Sequence, residues 1–155
     1  MKSIRPRILF VGEGVTAAHI LRPLALAARL DPKIFDVTFA CDPRFRDTVE
    51  NAGIRWHTLA SICPQTFLDR LGRAQPAYTR GELDAYIRDE RRLIAELQPD
   101  LAVQDFRITL QVSCALYRVP LVTLTNAQWS PFVHLPMPLP ELPINRILGA
   151  RIMKP

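Results

Sequence analysis

The chain has 155 residues, 48% of them hydrophobic and 23% charged, with a formal net charge of +5, a length and balance that suit one folded globular domain with a real core and exclude a disordered chain. A positive field attracts nucleic acid, anionic lipid or phosphorylated ligands, but the arginines are scattered, without a basic run or interleaved aromatics, which argues against nucleic acid. Three distant cysteines, Cys41, Cys63 and Cys114, without any CxxC spacing, support neither a disulfide framework nor a metal site.

The N-terminus, Met1 to Arg7, is basic, but the apolar run after it, Ile8 to Val11, is too short for a signal sequence and ends at Gly12. No apolar stretch in the sequence is long enough to span a bilayer. Together with the cysteine usage this predicts a cytoplasmic protein.

Arg7 to Gly12 reads as a strand closed by glycine, and Ala17 to Leu30 then places Ala17, Ile20, Leu21, Leu24, Ala27 and Ala28 on one helical face. Phe35 to Ala40 is a second strand. Asp42-Pro43 has the signature of a helix start, an N-cap aspartate before an N1 proline, and Gly53 is a C-terminal stop. Ile54 to His57 is a short third strand, followed by an irregular stretch, Leu59 to Ala77, with a helix over Thr66 to Gly72. Thr79 and Glu82 have capping-box spacing, and Leu83, Ile87, Ile94 and Leu97 continue at helical period until Pro99. Asp100 to Asp105 is a fourth strand, Thr109 to Tyr117 a helix, and Pro120 to Thr125 a fifth strand.

Alternating helices and near-continuous apolar strands predict a doubly wound, mainly parallel α/β sheet covered on both faces, the Rossmann-like class. The domain is expected to occupy residues 1–130. Residues 131–155 form a proline-rich linker, with five prolines from Pro131 to Pro143, and a short amphipathic helix from Ile144 to Met153.

Ligands of such sheets bind beyond the carboxyl ends of the strands, at the point where the winding reverses. With the order 3-2-1-4-5, the first and fourth strands meet there, and His19 and Asp105 should face one another. A histidine in the first turn of a helix feels the positive end of the macrodipole, which keeps a ring nitrogen free to accept a proton. An aspartate opposite would orient the ring and stabilise the charge after transfer, making a general base for a hydroxyl. The spacing fits equally a local role, with His19 packing against its own loop and Asp105 capping the next helix.

The stretch from Arg7 to Val11, leading to Ala18-His19-Ile20-Leu21-Arg22-Pro23-Leu24-Ala25-Leu26-Ala27, resembles the opening of GT-B glycosyltransferases of the UDP-glycosyltransferase and macrolide glycosyltransferase kind. Val37 to Ala40 with Pro43-Arg44-Phe45, Pro99 to Asp105, and Val119 to Val122 are similar to further segments of that family. The resemblance implies a GT-B half in which His19 is the base on the acceptor hydroxyl and Asp105 its partner. It departs from the pattern where Thr16-Ala17-Ala18 stands between the glycines and His19, since the family often has glycine directly before the histidine.

Nothing here resembles the family's nucleotide-sugar half. The resemblance therefore implies an acceptor-binding N-terminal half, inactive alone. It would be a piece of a longer chain or would work with a separate donor-binding polypeptide, taking a small hydroxylated acceptor and meeting the nucleotide-sugar donor only through that other domain. Gly14 and Thr16 in the glycine loop, Phe106 beside the aspartate, and Asn126 and Trp129 after the fifth strand are candidates to touch the acceptor. Trp129 and Phe132 fit equally as cover for the core, and Phe106 and Arg107 are neighbours of Asp105 without an assigned contact.

Two other readings stand beside this one. Gly12, Gly14 and Ala17 match G-x-G-x-x-A, with Asp42, Arg44 and Arg46 beyond the second strand, a weak NADP-type pattern in which Asp42 has a sufficient use as an N-cap. No cofactor is therefore expected. The domain would otherwise be a non-catalytic module for a ligand or partner. The C-terminal stretch, with Ile144, Ile147, Leu148 and Ile152 beside Arg146, Arg151 and Lys154, suits a missing domain and also peripheral membrane contact.

Overall fold

Five parallel strands in the order 3-2-1-4-5 form the sheet of this computed structural model, which describes residues 5–126. They are β1 (Arg7–Gly12), β2 (Asp36–Cys41), β3 (Arg55–Thr58), β4 (Leu101–Asp105) and β5 (Leu121–Leu124). Between them run α1 (Ala18–Ala27), α2 (Arg46–Asn51), α3 (Pro64–Gly72), α4 (Arg80–Leu97) and α5 (Leu110–Tyr117), and a single 3-10 turn, Pro43–Phe45, leads into α2. The chain divides into two compact units, Met1–Leu124 and Thr125–Pro155, and only Thr125 and Asn126 of the second are described. The expected linker over 131–143 and the helix over 144–153 lie outside the described residues.

Alternation along β1 explains why both faces of the sheet are covered. Ile8 and Phe10 point into a cluster with Ile20, Leu24 and Ala27 of α1 and Val49 of α2, whereas Leu9 and Val11 point into a second cluster with Leu93 and Ile94 of α4 and Leu110 and Cys114 of α5. Side chains of successive strand residues alternate between faces, so a strand buried on both sides must be apolar throughout. β1 is buried from Ile8 to Gly12.

The ends of the helices follow local chemistry. The carboxylate of Asp42 accepts the backbone N–H of Arg44, as an N-cap does. Thr79 and Glu82 form the reciprocal capping box at the start of α4, which ends at Gln98 in the left-handed region before Pro99. α2 stops at Gly53, whose φ of +74° is the conformation that glycine alone adopts freely. α1 is shorter than its apolar pattern suggests, because the N–H groups of Arg29 and Leu30 bond to Leu26 and Ala27 and tighten the last turn into 3-10 geometry.

The register fixes the site. Gly12, the last residue of β1, pairs with Asp105, the last residue of β4. The loops leaving these two strands therefore start side by side at the carboxyl edge of the sheet.

Candidate functional site

The loop after β1 runs Gly12-Glu13-Gly14-Val15-Thr16 and turns directly into α1. A Cβ on Gly12 would lie 2.6 Å from the carbonyl oxygen of His19 and 2.7 Å from Cδ1 of Ile20, so only glycine lets the first turn of α1 pack this closely on the strand. The backbone N–H of Glu13 donates to the carbonyl of Asp105 at 3.1 Å, which ties the loop to the end of β4. His19 is the second residue of α1, and the helix has neither a side-chain cap nor an acidic residue in its first turn to offset its N-terminal field.

These constraints bring His19 Nδ1 to 2.8 Å from Oδ1 of Asp105. The aspartate side chain is 1% exposed and the histidine 15%. Arg22, one turn further along α1 and so on the same helical face, donates from Nη2 to the same Oδ1 at 2.8 Å and lies 3.1 Å from His19 Nδ1. With Nδ1–H donated to the carboxylate, Nε2 of His19 is the ring nitrogen that keeps a lone pair. Phe106, directly after Asp105, lies flat on the imidazole, with centroids 4.5 Å apart and ring planes within 10°.

Behind this pair lies a second charged cluster that is wholly buried. Arg107 donates from Nε to Glu90 Oε1 at 2.6 Å, and from Nη1 to Glu13 Oε2 at 3.0 Å and to the carbonyl of Ala60 at 2.7 Å. Glu90 of α4 also accepts from the hydroxyls of Thr109 and Ser113. Tyr86 presents its ring to the guanidinium, 3.5 Å from Cζ to centroid, a cation–π contact. Burial pushes the Glu13 carboxyl above the usual 4.5, an effect only partly offset by the charge of Arg107 and by hydrogen bonds from Ser61, Arg107 and Tyr86.

The other residues singled out in the sequence separate clearly. Gly14 is buried, its N–H donated to Ser61 Oγ at 2.9 Å and its carbonyl accepting Arg44 at 3.3 Å, so its backbone is occupied within the protein. Thr16 is exposed on the loop that leads to His19. Asn126 is exposed and belongs to the second unit, and Trp129 lies outside the described residues. Asp42 bonds to both the backbone and the guanidinium of Arg44, which accounts for it without a dinucleotide. Among the described residues no cluster of His, Cys, Asp or Glu is suited to a metal ion, and no helix is long and apolar enough to cross a membrane.

Sequence reasoning assigned nothing to Arg22, Glu13 or Glu90. Each left a trace. Arg22 is three residues from His19 on one helix; Glu90 interrupts the apolar stripe of α4 between Tyr86 and Leu93 and Ile94; Glu13 stands between two glycines directly after a buried strand.

A five-stranded, doubly wound parallel sheet is the fold of one Rossmann-like half of a GT-B protein. Solved structures share it. The glycosyltransferase of kitacinnamycin is 22% identical, with 77% of this chain and 30% of that one covered at a TM-score of 0.60. The spinosyn rhamnosyltransferase SpnG, solved with thymidine diphosphate, is 17% identical, with 81% and 37% covered at 0.56. No family model matches.

Curated relatives match this chain in sequence. A PGL/p-HBAD biosynthesis rhamnosyltransferase of Mycobacterium bovis (strain BCG / Pasteur 1173P2) is 40% identical over 150 residues, 97% of this chain and 33% of the relative. A protein of the same strain described as an inactive PGL/p-HBAD biosynthesis glycosyltransferase is 38% identical over 147 residues, 95% of this chain and 40% of the relative. The chain thus spans a third to two-fifths of the length of these curated relatives. The chain has the Rossmann-like fold seen in these GT-B structures and is related in sequence to part of the PGL/p-HBAD glycosyltransferases.

Proposed function

We propose that this domain holds the acceptor of a glycosyltransferase and supplies His19 as the general base, with Asp105 as its orienting partner. A second, donor-binding domain would present the nucleotide sugar. The observation that carries the reading is the 2.8 Å contact between His19 Nδ1 and the buried Asp105 carboxylate at the switch point of the sheet. Held that way, Nε2 takes the proton of the acceptor hydroxyl as its oxygen bonds to the anomeric carbon, and the nucleotide leaves with the electron pair of the broken bond. Asp105 then balances the imidazolium. The acceptor is a small hydroxylated molecule; Thr16, exposed on the loop before His19, and Phe106, stacked on its ring, would meet it.

Orientation of donor and acceptor supplies much of the rate of such a transfer, so the domain alone should transfer no sugar. In an enzyme that joins this chain to a donor-binding domain, His19→Ala should lower kcat by roughly 100- to 10,000-fold, the usual contribution of a general base. An unchanged kcat would remove His19 from the mechanism.

A relative named as inactive at 38% identity favours a second reading, in which the domain binds its ligand without catalysis. The two diverge on one measurement: a pure binding module keeps its affinity for the acceptor in titration calorimetry and shows no transfer when the donor domain is supplied.

A further inference from the structure

Asp105, Phe106 and Arg107 follow one another at the end of β4, and their side chains go in, out and in. Asp105 and Arg107 are each 1% exposed, and Phe106 is 39% exposed. Asp105 is fixed by Glu13, His19 and Arg22, and Arg107 by Glu90, Glu13 and Ala60. Phe106 spans these two anchors at φ +60°, in the left-handed region. A bulky side chain is an outlier there, and glycine, or less readily asparagine, is the residue that region favours. Such strain persists where the surroundings over-determine it, and it clusters at working sites.

The ring does something specific in return. It lies flat on His19, at 4.5 Å and 10°, and is itself met edge-on by Phe67 of α3 at 6.1 Å and 76°. The polar contacts of His19 set the position of Nδ1 but leave the tilt of the ring open, because the terminal torsion of a histidine is broad. They also admit two arrangements. Nδ1 can donate to Asp105 at 2.8 Å, or accept from Arg22 at 3.1 Å with the ring proton moved to Nε2. In the second arrangement Nε2 has no lone pair for an acceptor hydroxyl.

We infer that Phe106 is a positioning residue for His19: its ring fixes the plane of the imidazole so that Nδ1 stays on Asp105 and Nε2 stays free, and its π face supports the imidazolium once a proton arrives. The inference rests on the reading of His19 as the base. It gives Phe106 a role that precedes acceptor binding.

Side-chain ¹⁵N–¹H NMR of this chain, without donor or acceptor, tests it. The wild type should show His19 as one Nδ1–H tautomer with ring protons shifted upfield by the stacked phenyl. Phe106→Gly, which relieves the positive φ, should melt no lower than the wild type, while the two His19 nitrogen shifts converge towards the average of a free imidazole. Phe106→Tyr should restore both the upfield shift and the single tautomer. A folded Phe106→Gly chain with unchanged His19 nitrogen shifts overturns the proposal, since a mere acceptor contact would leave them untouched. Failure of both Phe106→Gly and Phe106→Asn to fold overturns it too, by making the ring a core element. The transferase reading fails separately, through His19→Ala in the donor-containing enzyme.

Discussion

His19, Asp105 and Arg22 share one carboxylate between an imidazole and a guanidinium, with the histidine 15% and the arginine 37% exposed. Arg107, Glu13 and Glu90 reverse the ratio, with two carboxylates on one guanidinium and none of the three more than 1% exposed. Both groups hang from the ends of β1 and β4, and residues 105 and 107 belong one to each. The difference teaches which charges do which work. A charge removed wholly from water must be paired and hydrogen-bonded, and it then behaves as a rigid fastening. In the other group His19 and Arg22 keep contact with solvent while the carboxylate they share is buried. The proposed base and its partner need a firm support, and the charged cluster one residue away supplies it.

The largest effect should come from breaking the buried group. Arg107→Ala leaves Glu13 and Glu90 facing each other without a cation, and loss of one partner of a buried pair typically costs about 3–5 kcal/mol. Urea unfolding should show that loss as a lower midpoint with an unchanged slope. A loss below about 1 kcal/mol, the level of a surface ion pair, would erase the contrast between the two groups.

Glu13→Gln should sharpen the comparison through pH. Burial holds the Glu13 carboxyl above the usual 4.5 in the folded protein. A group raised on folding contributes stability that is complete below its unfolded value and is lost as pH rises through the folded one. Glutamine cannot ionise, so the stability of the variant relative to wild type should improve as pH rises from about 4 towards neutrality. Parallel stability curves over that range would mean that Arg107 fully compensates the burial of Glu13.

The sheet, its order and the meeting of His19 with Asp105 were legible in the sequence because parallel strands buried on both faces read as apolar runs, and topology then dictates which ends are neighbours. The supporting cluster was not legible, because a charged residue on a buried stripe, such as Glu90, declares its position but not its partner. Phe106 was named for its proximity to Asp105, but nothing in a phenylalanine announces a left-handed backbone. That conformation is held by two anchored neighbours, whose contacts are long-range in the chain. Arg22 was passed over although its spacing from His19 is that of adjacent turns of one helix.

Arg22 carries the smallest expected change in stability and the finest distinction between the two groups. Its guanidinium is more than a third exposed, so water already screens much of its attraction to Asp105, and Arg22→Gln should cost below about 1 kcal/mol. Its influence on His19 is of another kind. Arg22 Nη2 and His19 Nδ1 compete for one oxygen of Asp105, and withdrawing the guanidinium leaves that oxygen to the imidazole. The ¹⁵N spectrum of Arg22→Gln should therefore keep the Nδ1–H tautomer of His19 with its donated proton shifted further downfield, while the urea midpoint scarcely moves. A midpoint that falls as far as in Arg107→Ala would place Arg22 with the buried fastening rather than with the proposed base and its partner.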